Sequence, residues 1–307
     1  MIVFVVFSFA GNEANMTRSV TVVAPTFISI TLENNATTLN IGEKATLTLL
    51  GTYPDNSTKV LTKNIEYIIT PSQSVELNAS TLTALKDGTV TLQAKVGTLL
   101  SNMLTLDIAW VVDGYTLPPE PDEALNNATL LGIDSNNNGV RDDVERWIYE
   151  TYDEYIPCHQ ELDGEETLPS GQVIQFGKEV CEDKPVPYHP VVRAVAMQGA
   201  RAAQIIIQET ERARETMKYF DAAQDCGMVI GQTRKRIFNG KEYKLFKDDP
   251  ISESEGMINK MFNTIQRARA YGKYNFNLSG GVYDLPTDDV MLQGCSMEVH
   301  KLLEGLK

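Results

Sequence analysis

The run richest in groups able to do chemistry is Asp134 to Glu145, D-S-N-N-N-G-V-R-D-D-V-E. Carboxylate and amide oxygens recur along it at short intervals, where a calcium ion would need them. Calcium takes roughly six to eight oxygen ligands in a flexible geometry. The competing reading is an Asn-rich turn whose acids only cap the following helix. Other candidates are sparser. His159, His189 and His300 lie far apart, and none sits in a metal-ligand spacing such as H-E-x-x-H. Each reads as a loop or surface histidine. Glu161, Asp163, Glu165 and Glu166 could supply the carboxylate pair of glycoside hydrolysis. Nothing in the sequence holds two of them at a set separation, so a solvated acidic loop is the better reading. No G-x-S-x-G, phosphate-binding loop or dinucleotide fingerprint occurs.

The acidic run resembles EF-hand-type calcium loops, and more closely those of dockerins and other exported bacterial proteins. Such loops take ligands from the first, third, fifth, seventh, ninth and twelfth positions, with Gly at the sixth for the sharp turn. Counting from Asp134, these are Asp134, Asn136, Asn138, the Val140 carbonyl, Asp142 and Glu145, with Gly139 at the turn. The resemblance implies calcium as the cofactor, bound with micromolar to millimolar affinity. No long amphipathic helix precedes the loop, which departs from the paired regulatory EF-hand. A single structural site is expected, one that sets how the following domain starts.

Composition narrows the partners. The chain has 307 residues, a net charge of −14 and a pI near 4.7. That charge argues against a nucleic-acid partner, whose footprint is basic, and against docking on anionic lipid. The single basic cluster, Arg234 to Lys247, reads as a solvated hairpin about Asn239-Gly240. No apolar run is long enough to span a bilayer. All four cysteines, Cys158, Cys181, Cys226 and Cys295, fall in the second half, without a C-x-x-C. An even count in one domain suits disulfides and an oxidising compartment. Three connectivities are open. We favour Cys158–Cys181, closing a proline-rich loop, and Cys226–Cys295, tying a long helix to the terminal one.

The elements that must position the acidic run divide at about residue 109. Between 26 and 109 short strands alternate with turns. Ala45, Leu47 and Leu49 alternate with Thr46 and Thr48, and Val90, Leu92, Ala94 and Val96 alternate with polar neighbours. A period of two places one face on a core. About seven such strands indicate a β-sandwich. The segments Ile28-Ser29-Ile30-Thr31, Leu39-Asn40-Ile41-Gly42, Gly51-Thr52-Tyr53-Pro54-Asp55-Asn56-Ser57-Thr58 and Leu82-Thr83-Ala84-Leu85-Lys86-Asp87-Gly88-Thr89-Val90-Thr91-Leu92 follow in order. They resemble the bacterial immunoglobulin-like group 2 domain of invasin- and intimin-type surface proteins, with Tyr67 where that family usually has Trp. The resemblance implies a spacer or adhesion module without catalytic residues. Ala10-Gly11-Asn12 and Thr17-Arg18-Ser19-Val20-Thr21-Val22 resemble the last hairpin of a hyalin-type or related repeat. Residues 1–25 are therefore expected to be the terminal strands of an upstream repeat.

Residues 110–130 read as a stiff linker, from Leu117-Pro118-Pro119-Glu120-Pro121. A short helix is expected between Pro121 and Leu131. Residues 131–307 read as a helical domain opened by the calcium loop. Val144, Trp147, Ile148 and Tyr152 share one face of a helix from Arg141. Cys158 to Pro190 reads as loop, and Val191 to Phe220 as one helix of about 45 Å. Ser252 and Glu255 form a capping box before a helix through Met257, Met261, Ile265 and Ala268. Thr287 is expected to cap a last helix, Asp288 to Glu304.

The fold class expected is thus multidomain, all-β plus all-α: an Ig-like sandwich, then a calcium loop and a disulfide-braced helical domain. The function expected is a non-enzymatic bacterial protein, extracellular or at the cell surface, or periplasmic. Its stalk would present the helical domain for adhesion, to a protein or carbohydrate ligand. The alternative is an exported hydrolase of polysaccharide or cell wall with the helical domain catalytic.

Overall fold

In the first half, every second side chain along two long strands is apolar, and that pattern sets the architecture. The computed structural model describes residues 26–238, 241–246, 255–280 and 286–306. Residues 1–25, the Asn239-Gly240 turn and Ser252 of the expected capping box lie outside the described residues. The chain divides into two units at Val111/Val112.

The first unit is all β. Its strands are β1 (Ser29–Asn34), β2 (Thr38–Asn40), β3 (Lys44–Thr52), β4 (Thr58–Val60), β5 (Glu66–Thr70), β6 (Val75–Asn78), β7 (Thr81–Ala84), β8 (Gly88–Val96), β9 (Leu99–Leu100) and β10 (Leu104–Ala109). One sheet runs β1-β3-β7-β6 with β4 on β3, the other β2-β10-β8-β5 with β9 on β8. All pairings are antiparallel except β2 with β10. The buried positions of β3 and β8 are those the alternation selects, Ala45, Leu47 and Leu49 in one and Val90, Leu92 and Ala94 in the other. Side chains of both sheets join in one core, with Leu32 and Leu82 from the first meeting Leu92 and Leu106 from the second. Tyr67 packs against that core half-buried. The arrangement is sandwich-like.

The second unit is mostly helical. It begins with part of β11 (Val111–Val112), then β12 (Tyr115–Thr116), α1 (Glu123–Asn127) and α2 (Asp142–Thr151). The stretch expected as a linker belongs to this unit. Leu117 is buried, and the Arg146 side chain of α2 donates to the Pro118 carbonyl and the Glu120 carboxylate. Proline stiffness remains, but packing on α2 fixes its path.

Where Cys158 to Pro190 is expected as loop, the chain instead forms a long two-stranded ribbon, β14 (Cys158–Thr167) with β15 (Val173–Cys181), flanked by β13 (Glu154–Tyr155) and β16 (Val186–Pro187). The single long helix expected from Val191 is two helices, α3 (Pro190–Gln208) and α4 (Ala213–Thr233). Gln198 of α3 donates to the Ala222 carbonyl of α4, so α4 folds back along α3. Next come β17 (Lys235–Phe238) paired with β18 (Lys241–Lys244), as the basic hairpin predicts. The last helices are α5 (Glu255–Met261), α6 (Ile265–Leu278), α7 (Asp288–Gln293) and α8 (Met297–Glu304). Two expected helices are thus each broken in two. Thr264 starts α6 by accepting from the Arg267 amide, and Ser296 starts α8 by accepting from the Val299 amide.

α3 is apolar nearly all round, and a helix of that kind must be central. Val192, Val195 and Ile206 are fully buried. Around it pack α2, α4, α5, α6 and α8. The cysteines pair as Cys158–Cys181 and Cys226–Cys295, and no described cysteine is free. The first bond closes the base of the β14–β15 ribbon, where Cys158 and Cys181 are direct cross-strand partners. The second ties α4 to the α7–α8 turn. Each contributes about 2–4 kcal/mol, mainly by restricting the unfolded chain. No helix of the described residues is long and apolar enough to cross a membrane.

Candidate metal centre

The acidic loop closes on its own main chain. Asp134 accepts from the Asn138 amide through Oδ1 at 3.1 Å and from the Gly139 amide through Oδ2 at 2.9 Å. Asn136 Oδ1 also accepts from the Asn138 amide, and Asn138 Oδ1 accepts from the Val140 amide. These bonds curl the first half of the loop into a tight turn. Gly139 completes it at φ +85°, a left-handed conformation that suits glycine. Val140 is fully buried in the helical core and anchors the loop's far side. Asp142 opens α2 and accepts from the Ser135 amide at 2.9 Å. Burial, with the nearby Asp134 and Asp143 charges, pushes its carboxyl above the usual carboxylate range, although the Ser135 bond opposes the shift.

Glu145 lies at the centre. Its residue is 0% exposed, and its carboxylate receives three donors. Tyr115 Oη donates to Oε1 at 2.6 Å, while Asn138 Nδ2 and Asn136 Nδ2 donate to Oε2 at 2.7 and 3.1 Å. Burial, and then the Glu145 bond and charge, push the Tyr115 hydroxyl up to about 12. It thus remains a donor at neutral pH. Among the described residues no Lys, Arg or His forms an ion pair with Glu145. Removing a carboxylate from water without a cation is costly, so this side chain fits a site that receives one. The Asn136 and Asn138 amide nitrogens face Glu145 while their oxygens bond the Asn138 and Val140 main-chain amides, so presenting those oxygens to an ion beside Glu145 would require both amides to rotate and give up these bonds. Asp142 bonds Ser135 through Oδ1 alone. The donor set, all oxygen and partly carboxylate, has the hardness calcium prefers.

The loop is held by residues far along the chain. Arg201 of α3 donates through Nε to the Asn138 carbonyl at 3.0 Å, and Gln204 to the Leu131 carbonyl at 2.7 Å. Arg141 is fully buried, binds both Asp143 oxygens, and caps the end of α5 through the Lys260 and Met261 carbonyls. Burial raises the Asp143 carboxyl, but the hydrogen bonds and charge of Arg141 outweigh it, and the net shift is downward. Arg267 of α6 is fully buried and gathers the end of α1 through the Asn126, Thr129 and Leu130 carbonyls. Burial and the neighbouring Arg141 lower its guanidinium to about 10, which leaves it charged at neutral pH. Tyr115, Arg141, Arg201, Gln204 and Arg267 were not singled out by sequence reasoning. Tyr115 and Arg201 meet the loop from 21 and 63 residues away, Gln204 and Arg267 reach the segment before it from 73 and 137 residues away, Arg141 acts through burial, and no local spacing marks them.

The histidines do not join this centre. His189 caps α3 by accepting from the Val191 amide, and His159 contacts Glu161. Cys158, Glu179 and Cys181 place possible ligand atoms together, but the two sulfurs are bonded to each other and offer no thiolate.

No family model matches the chain, and no curated protein matches it. Among solved structures it is similar to an S-layer protein at 16% identity, over 56% of this chain and 25% of that one, with a TM-score of 0.25. It is also similar to a polysaccharide lyase at 9% identity, over 91% of this chain and 39% of that one, with a TM-score of 0.20. The chain thus spans well under half the length of either.

Proposed function

We propose that the chain is a non-enzymatic exported protein of the cell surface. In this reading an Ig-like β unit carries a calcium-stabilised helical unit, which binds a protein or carbohydrate partner outside the cell. The observation that carries the calcium part is Glu145, buried without a basic partner among the described residues and held by donors from Tyr115, Asn136 and Asn138. The disulfides support the exported part, because such bonds persist in oxidising compartments. The alternating strands and shared two-sheet core support the Ig-like part. In the helical unit calcium joins Asp134, Asn136, Asn138, the Val140 carbonyl, Asp142 and Glu145, and fixes the start of α2 against the core. Thermal unfolding with calcium and with a chelator tests this. Calcium at about 100 times its dissociation constant adds about 2.7 kcal/mol, raising the midpoint by several degrees. Asp134→Ala should abolish that rise. An unchanged midpoint in the parent chain would remove calcium from the account.

A further inference from the structure

Beside the loop, within the second unit, lies a cleft of about 340 Å³. Asp113, Tyr115, Tyr149, Arg193, Arg201 and Glu298 line it. Its size falls at the small end of ligand pockets, which span roughly 300–1,000 Å³. Its two arginines differ in kind. Arg193 is spent on the fold, donating to the Tyr152 carbonyl, Asp113 and Asp153. Arg201 is less committed. Its Nε is tied to the Asn138 carbonyl, and Nη1 makes a long ion pair with Glu298 at 3.9 Å without a hydrogen bond. Neither Nη atom makes a hydrogen bond to a described residue. The side chain is 35% exposed. One tethered nitrogen orients a fork of open N–H donors, the geometry that receives a carboxylate through two parallel bonds.

The walls define the rest of a ligand. Tyr115 and Tyr149 stack at 5.7 Å and 21°, and the Arg193 guanidinium lies over the Tyr149 ring at 5.2 Å, so the Tyr115 ring supplies the aromatic wall. Burial, with the Glu145 and Glu298 charges, pushes the Tyr149 hydroxyl up to about 12, so at neutral pH it is a donor. Glu298 is about half exposed and offers an acceptor. A ligand that satisfies all three is small and carries a carboxylate for Arg201, hydroxyls for Glu298 and Tyr149, and an apolar C–H face for the Tyr115 ring.

We propose that this cleft binds a sugar acid, free or at the end of an acidic glycan, with its carboxylate on Arg201. The link to the loop rests on the calcium reading. Arg201 is positioned by the Asn138 carbonyl, and the Tyr115 hydroxyl reaches from the cleft to Glu145. An ion that orders the loop orders both, so calcium strengthens binding.

Calorimetric titration of the full chain with D-glucuronate, acetate, D-glucose and a glucuronate tetramer tests this, with calcium and with chelator. The account expects glucuronate to bind, and acetate and glucose to bind about tenfold more weakly or worse, each lacking part of the complement. A tetramer about tenfold tighter than the monomer places a glycan end in the cleft, and equal affinities indicate a free acid. Arg201→Met should weaken glucuronate about tenfold or more. Tyr149→Phe, which leaves the loop contacts intact, should weaken it less. Absence of glucuronate binding in the parent chain, or binding untouched by Arg201→Met, would overturn the site. Arg201-dependent binding that ignores the chelator would keep the cleft and remove its coupling to calcium.

Discussion

At the scale of single residues, the second unit depends on a few positions where no other side chain fits. Gly132 has φ +72°, and a Cβ there would sit 2.3 Å from Arg141 Cδ and 2.8 Å from Arg267 Nη2. Both arginines are fully buried and tied to carbonyls on several sides, so neither can move aside. Gly132→Ala is predicted to cost about 2–4 kcal/mol from left-handed strain and overpacking. Gly139 has a similar φ of +85°, but its Cβ would meet only Arg201 Cγ at 3.6 Å. Gly139→Ala should therefore cost only the backbone part, about 1–2 kcal/mol. Denaturant unfolding of the two variants checks the order, and equal losses would contradict it. The oxygen-bearing residues of the loop were legible because their pattern is local and glycine marks the turn. Tyr115 and Arg201 were not, since their roles exist only once β12 and α3 lie against the loop.

At the scale of elements, sequence reading succeeded where a buried face imposed a period and failed where it did not. In β3 and β8 one face is buried, and alternation showed both the strand and its core residues. The β14–β15 ribbon has almost no buried face, and Leu162 and Phe176 stand exposed. Without a face to hide, no period of two arises, and its glycines and prolines read as loop. The break between α3 and α4 was hidden for the opposite reason. Glu209 and Arg212 do pair, at 3.5 Å, but in a tight 3-10 turn and not within a continuous helix. Folding back there buries Ala223, Cys226 and Ile230, which one long rod would leave without a partner.

α3 also carries a pH dependence. His189 caps its start by accepting from the Val191 amide, which requires an unprotonated ring nitrogen. Burial first, then Arg236, lowers its pKa below the ordinary value. The unfolded chain then takes up the proton more readily than the folded one. This contribution is complete above about pH 6.5 and is lost as pH falls from there through the folded-state value. His189→Asn keeps a capping acceptor without titrating. It should flatten the fall in thermal midpoint below about pH 6.5. An identical fall in the variant would contradict the assignment.

At the scale of the molecule, the chain is a β unit and a mostly helical unit, with both disulfides in the second. The chain divides at Val111/Val112, and the sequence changes period near residue 109. The interior of the helical unit was less legible, because many short helices with capped breaks resemble fewer long ones. On the proposed reading the β unit is a stalk, the helical unit is the binding part, and the loop couples ion to fold. The net charge of −14 suits that role, since an acidic surface attracts cations from outside the cell. The most direct test of this central claim is a calcium titration of the purified, chelator-stripped chain by calorimetry. The account predicts one site with a dissociation constant between about 10⁻⁶ and 10⁻³ M, abolished in Glu145→Gln. No heat of binding in the parent chain, or binding that survives Glu145→Gln unchanged, would contradict it.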